Sequence, residues 1–510
     1  MPVFKQQFLL WCTIFLMVFL VLPVFNIVNS GLPNGFSALF GTDKLESYLN
    51  YKLFEASISA DYRKVVVGKE GWLFLGNHYS DVLQQVRGAD TTTDTYLNDW
   101  ATEMKSKQDF HKALGIETLF VVAPNKHSIY PEFLPEWITP ATSTSTQALY
   151  DVSIKKGLNY FDLHETLINE KVADKLLYKK TDTHWNEYGS YLAYSKIMTV
   201  SSSLLKRTLT TPTLVNVERR DVSGGDLSKF LKIRSYLEEA DFTIAYDAKE
   251  IPLCSKKITY EPFDAPGKCF DINNQETPVN RNGTVTRNAN APNSDTLLWF
   301  RDSFGNANSS LFQASFASLF QLHYNRTDSK NIAELIVQKP PSLVLYQIVE
   351  RNVLAGHYLK PYPDVIDISS SFDRNQLSKA KKLYTTNSQE RTPKSNAKLR
   401  ISQSPSAKVL TVSEKSAKFS LPKILGNSKK NRILAINIES PYNTKLRLIL
   451  TSNSARKKLK RTVISTPIKA GDNTLYFYLQ AKVANDNIKI APASIPGQYI
   501  LKDLSIYQLK

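Results

Sequence analysis

TLLWFRDSFGNANSSLFQASF (296–316) runs four apolar residues into a charged turn and then into a stretch of helical spacing. The apolar start suits a strand buried in a sheet, and Arg301-Asp302-Ser303-Phe304-Gly305 is the turn that leads from it into a helix. Strand, sharp turn and helix in that order place Ser303 at the carboxyl edge of a sheet. The following N–H groups then point toward a helix N-terminus, where developing negative charge is favoured. An ordinary N-cap at Asp302 or Ser303 would leave the same trace.

Upstream, helix and strand alternate. TTDTYLNDWATEMKSKQDFHKALG reads as helix, ETLFVVAP as a buried strand, TQALYDVSIKKG as helix and LNYFDLH as another strand. Such alternation predicts an α/β fold with a parallel sheet covered by helices, whose ligands gather at the carboxyl ends of the strands. GKEGWLFLGN (68–77) reads as a Gly-flanked strand, and APNKHSIYPEFLP (123–135) is a loop leaving a strand end.

TDTHWNEYGS (181–190) supplies an acid and an imidazole two residues apart, so on extended backbone Asp182 and His184 leave the same face. A carboxylate there can fix the imidazole tautomer and stabilise the imidazolium. Under the plainer alternative, Asp182 or Thr183 caps the amphipathic helix that NEYGSYLAYSKIMTVSSSLL forms. Ser303 lies 119 residues further on. An Asp-x-His and a serine on one predicted sheet suit nucleophilic catalysis: histidine takes the serine's proton and an acyl-serine splits the transfer in two.

GWLF (71–74), PNKHSIYPEFLP (124–135), TDTHWNEYGSYLAY (181–194), RDSFGN (301–306) and YQIVERN (346–352), in this order, resemble the alginate O-acetyltransferase AlgJ/AlgX family. That family's catalytic domain looks like an SGNH hydrolase with permuted order, and the likeness spans roughly residues 40 to 365. The resemblance implies Ser303 as nucleophile, His184 as general base and Asp182 as its orienting acid. It also implies a polysaccharide acceptor and a membrane O-acyltransferase partner as acetyl donor. The backbone N–H of Ser303 is the first oxyanion donor expected, with Asn125, Lys126, Tyr324 and Arg351 as substrate-binding or oxyanion candidates. Each has a structural alternative: a turn residue for Asn125, a solvated cation for Lys126, a core ring for Tyr324, an ion pair with Glu350 for Arg351. His127 shares the loop of Asn125 and is assigned no role. His78, His111, His164, His323 and His357 lack metal-ligand spacing, so neither metal nor cofactor is expected.

The ends set the compartment. FLLWCTIFLMVFLVLPVF (8–25) is an uninterrupted apolar run of 18 residues with only Lys5 charged before it. That is close to the ~20 residues that cross a bilayer and longer than the ~7–15 of a secretory h-region. Residues 1–30 are therefore read as a membrane anchor or a signal segment, the favoured form being an uncleaved single-pass anchor in a bacterial inner membrane with the rest of the chain in the periplasm. Cys254 and Cys269 are the cysteines outside that run, and an exported body makes a bridge between them the natural pairing. Closing a loop of about 15 residues is worth roughly 3 kcal/mol.

The net charge of +17 belongs to one end, because Arg374–Lys510 holds 27 lysines and arginines against 6 acids and leaves residues 1–373 at −4. An exported basic unit faces an anionic polysaccharide, lipid head groups or an acidic partner rather than nucleic acid. A solvated charged surface would have the same composition. The catalytic domain is expected over 31–365, with a polar insertion at 236–292 near the site rim. A Ser/Lys-rich linker follows over 366–405. Short alternating stretches from 406 to 510, such as ILAINIES and KLRLILTS, predict a β-sandwich, read as a carbohydrate-binding module or a packing domain. Three functions fit: a polysaccharide O-acetyltransferase, a carbohydrate acetylesterase with the same triad, or a non-catalytic polysaccharide-handling scaffold.

Overall fold

Side-chain alternation along the central strands builds two cores at once. In Glu117–Ala123, Leu119 and Val121 join one core while Phe120 and Val122 join the other. In Asn293–Arg301, Leu297 and Trp299 face the first core, and Leu298 and Phe300 the second. Strands apolar on both faces in this way must be covered on both sides. The helix Glu187–Leu205 supplies Ala193, Tyr194 and Ile197 to the first core, and Asp94–Ala113 and Ser329–Gln338 cover the second. The computed structural model describes residues 2–30, 39–247, 252–257, 269–271, 283–325, 328–355, 360–386, 393–405, 407–421, 430–453, 459–483 and 487–509.

The sheet has eight strands, in the order Tyr160–Asp162, Glu117–Ala123, Leu343–Val349, Asn293–Arg301, Phe316–His323, Thr284–Arg287, Pro252–Lys257, Cys269–Asp271. The first five run parallel. The last three are antiparallel, so the expected parallel sheet is a mixed one. The added edge comes from the predicted insertion, where hairpins without crossover helices can pair only in antiparallel fashion. Another part of that insertion, Glu238–Asp247, pairs with Thr213–Ser223 in a two-stranded ribbon. Cys254 stands opposite Cys269 in register. Their side chains, and with them the expected bridge, lie outside the described residues.

Pro2–Ser30 is a helix, and Gln7–Val28 within it is long and apolar enough to cross a bilayer, as no other helix among the described residues is. At the other end, a seven-stranded and a five-stranded sheet enclose a third core. Leu434, Phe477 and Ile506 of the first meet Leu446, Leu448 and Ile490 of the second. The stretch expected as a linker is part of this unit: Val365–Asp367, Lys381–Thr385 and Leu399–Gln403 pair into the larger sheet, and Lys394–Ser395 into the smaller. Short strands such as KKLYT bury one side chain in five, which leaves their sequence looking like solvated loop. Tyr476, Tyr478 and Ile433 turn the other way and enter the second core of the α/β unit, so the two units share packing.

Candidate active site

The parallel strands deliver their carboxyl ends side by side: Ala123, Val349 and Arg301 lead into Asn125, Arg351 and Ser303. After Arg301 the chain makes a 3₁₀ turn, Ser303–Asn306, and then a short helix, Ser309–Ser315, in place of the single helix expected. Asp302 is the cap. Its Oδ1 accepts Phe304 N–H at 3.0 Å and its Oδ2 accepts Val349 N–H at 2.8 Å, tying the turn to the neighbouring strand. Arg301, fully buried, donates to Gln321 Oε1, Asp302 O and Asn306 Oδ1 and lies over the Trp299 ring. Gly305 must be glycine, since a Cβ there would sit 2.3 Å from Arg301 Cδ and 2.7 Å from Trp299 Cζ2. Ser303, freed of capping duty, is exposed.

The Asp-x-His segment meets it. Ser303 Oγ donates to His184 Nε2 at 2.8 Å, and His184 Nδ1 donates to Asp182 Oδ1 at 2.8 Å. An ionised carboxylate can only accept, so the proton of the neutral ring rests on Nδ1 and leaves Nε2 free to take one. The helix that follows is capped by Asn186, whose Oδ1 accepts Gly189 N–H at 2.8 Å; Asp182 and Thr183 are thus not its caps. Trp185, buried, donates its indole N–H to Phe304 O at 2.9 Å and joins the two catalytic segments directly.

Asp182 is mostly buried, which by itself would raise its carboxyl. The hydrogen bond and charge of His184, with Lys179 near, outweigh that and hold it well below the usual carboxylate range. It also accepts His184 N–H at 2.9 Å and Asp226 N–H at 3.0 Å. The segment around it is gripped at every residue. Glu239 accepts Thr181 N–H at 2.8 Å and the Thr181 hydroxyl at 2.5 Å, and Asp226 accepts Thr183 N–H at 2.7 Å. The donor atoms of Asp182, His184 and Asp226 lie within 4.8 Å of one another, a spacing a cation could share. The ring, however, gives its Nδ1 proton to Asp182 and accepts Ser303 on Nε2, so neither nitrogen presents a free lone pair.

The four further candidates divide. Asn125 is buried: its N–H donates to Glu350 Oε2 at 2.8 Å and its Oδ1 accepts Arg351 Nη1–H at 3.0 Å. Arg351 pairs with Asn125 and stacks over Phe304 rather than bridging to Glu350. Tyr324 is buried beyond the end of Phe316–His323; burial first, and then the charge of Asp302, raises its phenol. Lys126 is not a solvated cation. It is buried, and its ammonium donates to the carbonyls of Lys179 at 3.1 Å, Lys180 at 2.8 Å and Asp182 at 2.5 Å. An ammonium has three hydrogens, and all three are used. His127 is buried on the Leu75 carbonyl, away from the triad's hydrogen bonds.

Sequence reasoning missed Asp226 and Glu239, which lie 44 and 57 residues beyond Asp182. Gly224-Gly225 before Asp226 was the one signal. A Cβ on Gly225 would lie 2.5 Å from Asp182 Cβ, so the glycine marks a close approach rather than a turn.

Residues 65–243 match the sequence profile described as SGNH hydrolase-like domain, acetyltransferase AlgX, a span that holds Asp182 and His184. A curated relative, the probable alginate O-acetylase AlgJ of Pseudomonas fluorescens, is 24% identical over 309 residues, 59% of this chain and 71% of that one. Among solved structures, the O-acetyltransferase domain of Pseudomonas putida AlgJ is similar at 15% identity and TM-score 0.38, over 62% of this chain and 97% of that one. Pseudomonas aeruginosa AlgX is similar at 14% identity and TM-score 0.35, over 88% of this chain and 95% of that one.

Proposed function

We propose that this chain, a member of the AlgJ/AlgX family, is an O-acetyltransferase that moves acetyl through an acetyl-Ser303 intermediate onto hydroxyls of an extracytoplasmic polysaccharide. The observation that carries it is the unbroken chain of hydrogen bonds from Asp182 through His184 to Ser303. Ser303 Oγ attacks the acetyl carbonyl while His184 Nε2 takes its proton, and the leaving group departs with that proton. The oxyanion between these steps is held by the Ser303 N–H and the Asn125 amide NH₂, which Arg351 orients by donating to Oδ1. A sugar hydroxyl then attacks the acetyl-serine, giving its proton to Nε2, and the proton returns to Oγ as the ester leaves.

The remaining assignments follow the family and the ends of the chain. Gln7–Val28 anchors the protein in the inner membrane, so that the α/β unit works in the periplasm beside a membrane O-acyltransferase that donates acetyl. The basic C-terminal sandwich binds polymer, an anionic one by its charge. Purified protein incubated with a chromogenic acetyl ester, with and without oligosaccharide, tests the reading. Acetylated sugar made by wild type and lost in Ser303→Ala supports transfer. Acetate alone identifies an esterase, turnover that survives Ser303→Ala removes Ser303 as nucleophile, and no turnover above background identifies the non-catalytic scaffold.

A further inference from the structure

Asp226 opens the short helix Asp226–Phe230 and takes no part in the steps above. Its Oδ1 accepts Thr183 N–H at 2.7 Å and the Thr183 hydroxyl at 3.1 Å, while its own N–H donates to Asp182 Oδ2 at 3.0 Å. Its Oδ2 stands 3.7 Å from His184 Nδ1, the nitrogen already bonded to Asp182 at 2.8 Å. Two acids therefore attend one imidazole nitrogen. The closeness is built in: Gly225 lets the backbone before Asp226 press on Asp182, with no room there for a Cβ.

Acids this close repel one another until a positive charge comes between them. Burial first, and then the charge of Asp182, raises the Asp226 carboxyl, with His184 pulling the other way. Lys126 and Arg351 feel Asp226 at longer range, and Glu239 is the other acid acting on Asp182's surroundings. Neutral His184 offers these acids no charge. When the Ser303 O–H bond breaks and the N–H bond forms on Nε2, the imidazolium does.

We propose that Asp226 is a second carboxylate of the catalytic histidine, a positioning residue that holds Thr183 so that Nδ1–H stays aligned on Asp182 and that stabilises the imidazolium as Ser303 is deprotonated. This rests on the acyl-transfer reading and deepens it. Asp226→Asn keeps an oxygen for the Thr183 N–H and removes the charge. In the detergent-solubilised full chain, kcat on a chromogenic acetyl ester is expected to fall about tenfold, ~1.4 kcal/mol, with KM unchanged. The acid limb of the pH–rate profile moves to lower pH, because an imidazolium with one carboxylate fewer loses its proton more readily. Asp226→Glu restores the limb toward its original place. A merely structural residue would lower kcat or the melting temperature and leave the limb where it was.

Histidine-labelled NMR on Ser303→Ala protein reads the same quantity without turnover: the His184 titration midpoint should drop when Asp226→Asn is added. An unmoved limb and an unmoved midpoint overturn the proposal. Should Asp226→Asn not fold, Asp226→Ser, which keeps a hydroxyl acceptor for Thr183, is read by the same two measurements. Turnover that survives Ser303→Ala would sink the acyl-transfer reading instead, and the NMR titration would then judge Asp226 alone.

Discussion

Replacing Lys126 with methionine separates a strut beneath the site from a ligand for substrate. The ammonium makes three hydrogen bonds to the carbonyls of Lys179, Lys180 and Asp182, and its charge lies 5.6 Å and 5.5 Å from the ring centroids of Trp72 and Phe74. Bonds with a charged partner contribute about 1.5–3 kcal/mol each, so about 4–9 kcal/mol is lost in all. Against that stands the cost of a buried ammonium, whose pKa burial lowers from 10.5 to about 8. Removing it relieves about 3 kcal/mol at neutral pH. Methionine refills the space against the two rings, and the net destabilisation is about 1–6 kcal/mol. The freed carbonyls belong to the segment that aims His184, and a shift of about 1 Å there lowers kcat roughly 10²-fold. Urea denaturation and steady-state kinetics on an acetyl ester measure both. Unchanged stability with a raised KM would show that Lys126 holds substrate and refute the strut.

Asn125→Ala should lower kcat roughly 10²–10³-fold in single-turnover acetylation, since it removes one oxyanion donor. Gly225→Ala drives a Cβ to within 2.5 Å of Asp182 Cβ, and both the melting temperature and the activity should fall. Retention of an anionic polymer by the full chain should weaken steeply as sodium chloride rises, because Arg374–Lys510 supplies the positive charge. Retention indifferent to salt would point to ring stacking, and no retention at any salt to a packing domain.

Part of this architecture was legible in the sequence and part was not. Central strands announce themselves because burial on both faces demands unbroken apolar runs, as in LLWF before Ser303. Asp182 and His184 were legible because they are two residues apart, although the segment is bent rather than extended and the His184 N–H closes back on Asp182 Oδ1; Ser303 was legible because its turn follows such a run. The edge of the sheet was not, since Thr284–Arg287 is four residues long and Val285 is its one apolar residue, too short a run to announce a strand. Strands of the C-terminal sheets hid in the Ser/Lys-rich stretch for the same reason. Lys126 misled because a lysine in a strand-end loop looks solvated; only the fold brings the carbonyls of 179–182 to it. Asp226 and Glu239 grip their targets across more than forty residues, a pairing no local pattern records.

The most direct test is to find the acyl group itself. Protein quenched during turnover of a chromogenic acetyl ester and digested for mass spectrometry should carry acetyl on the Ser303 peptide. The adduct should vanish in Ser303→Ala and form far more slowly in His184→Ala. Turnover with no acetyl on Ser303 at any time point, or with acetyl on another residue that Ser303→Ala leaves in place, would contradict the assignment.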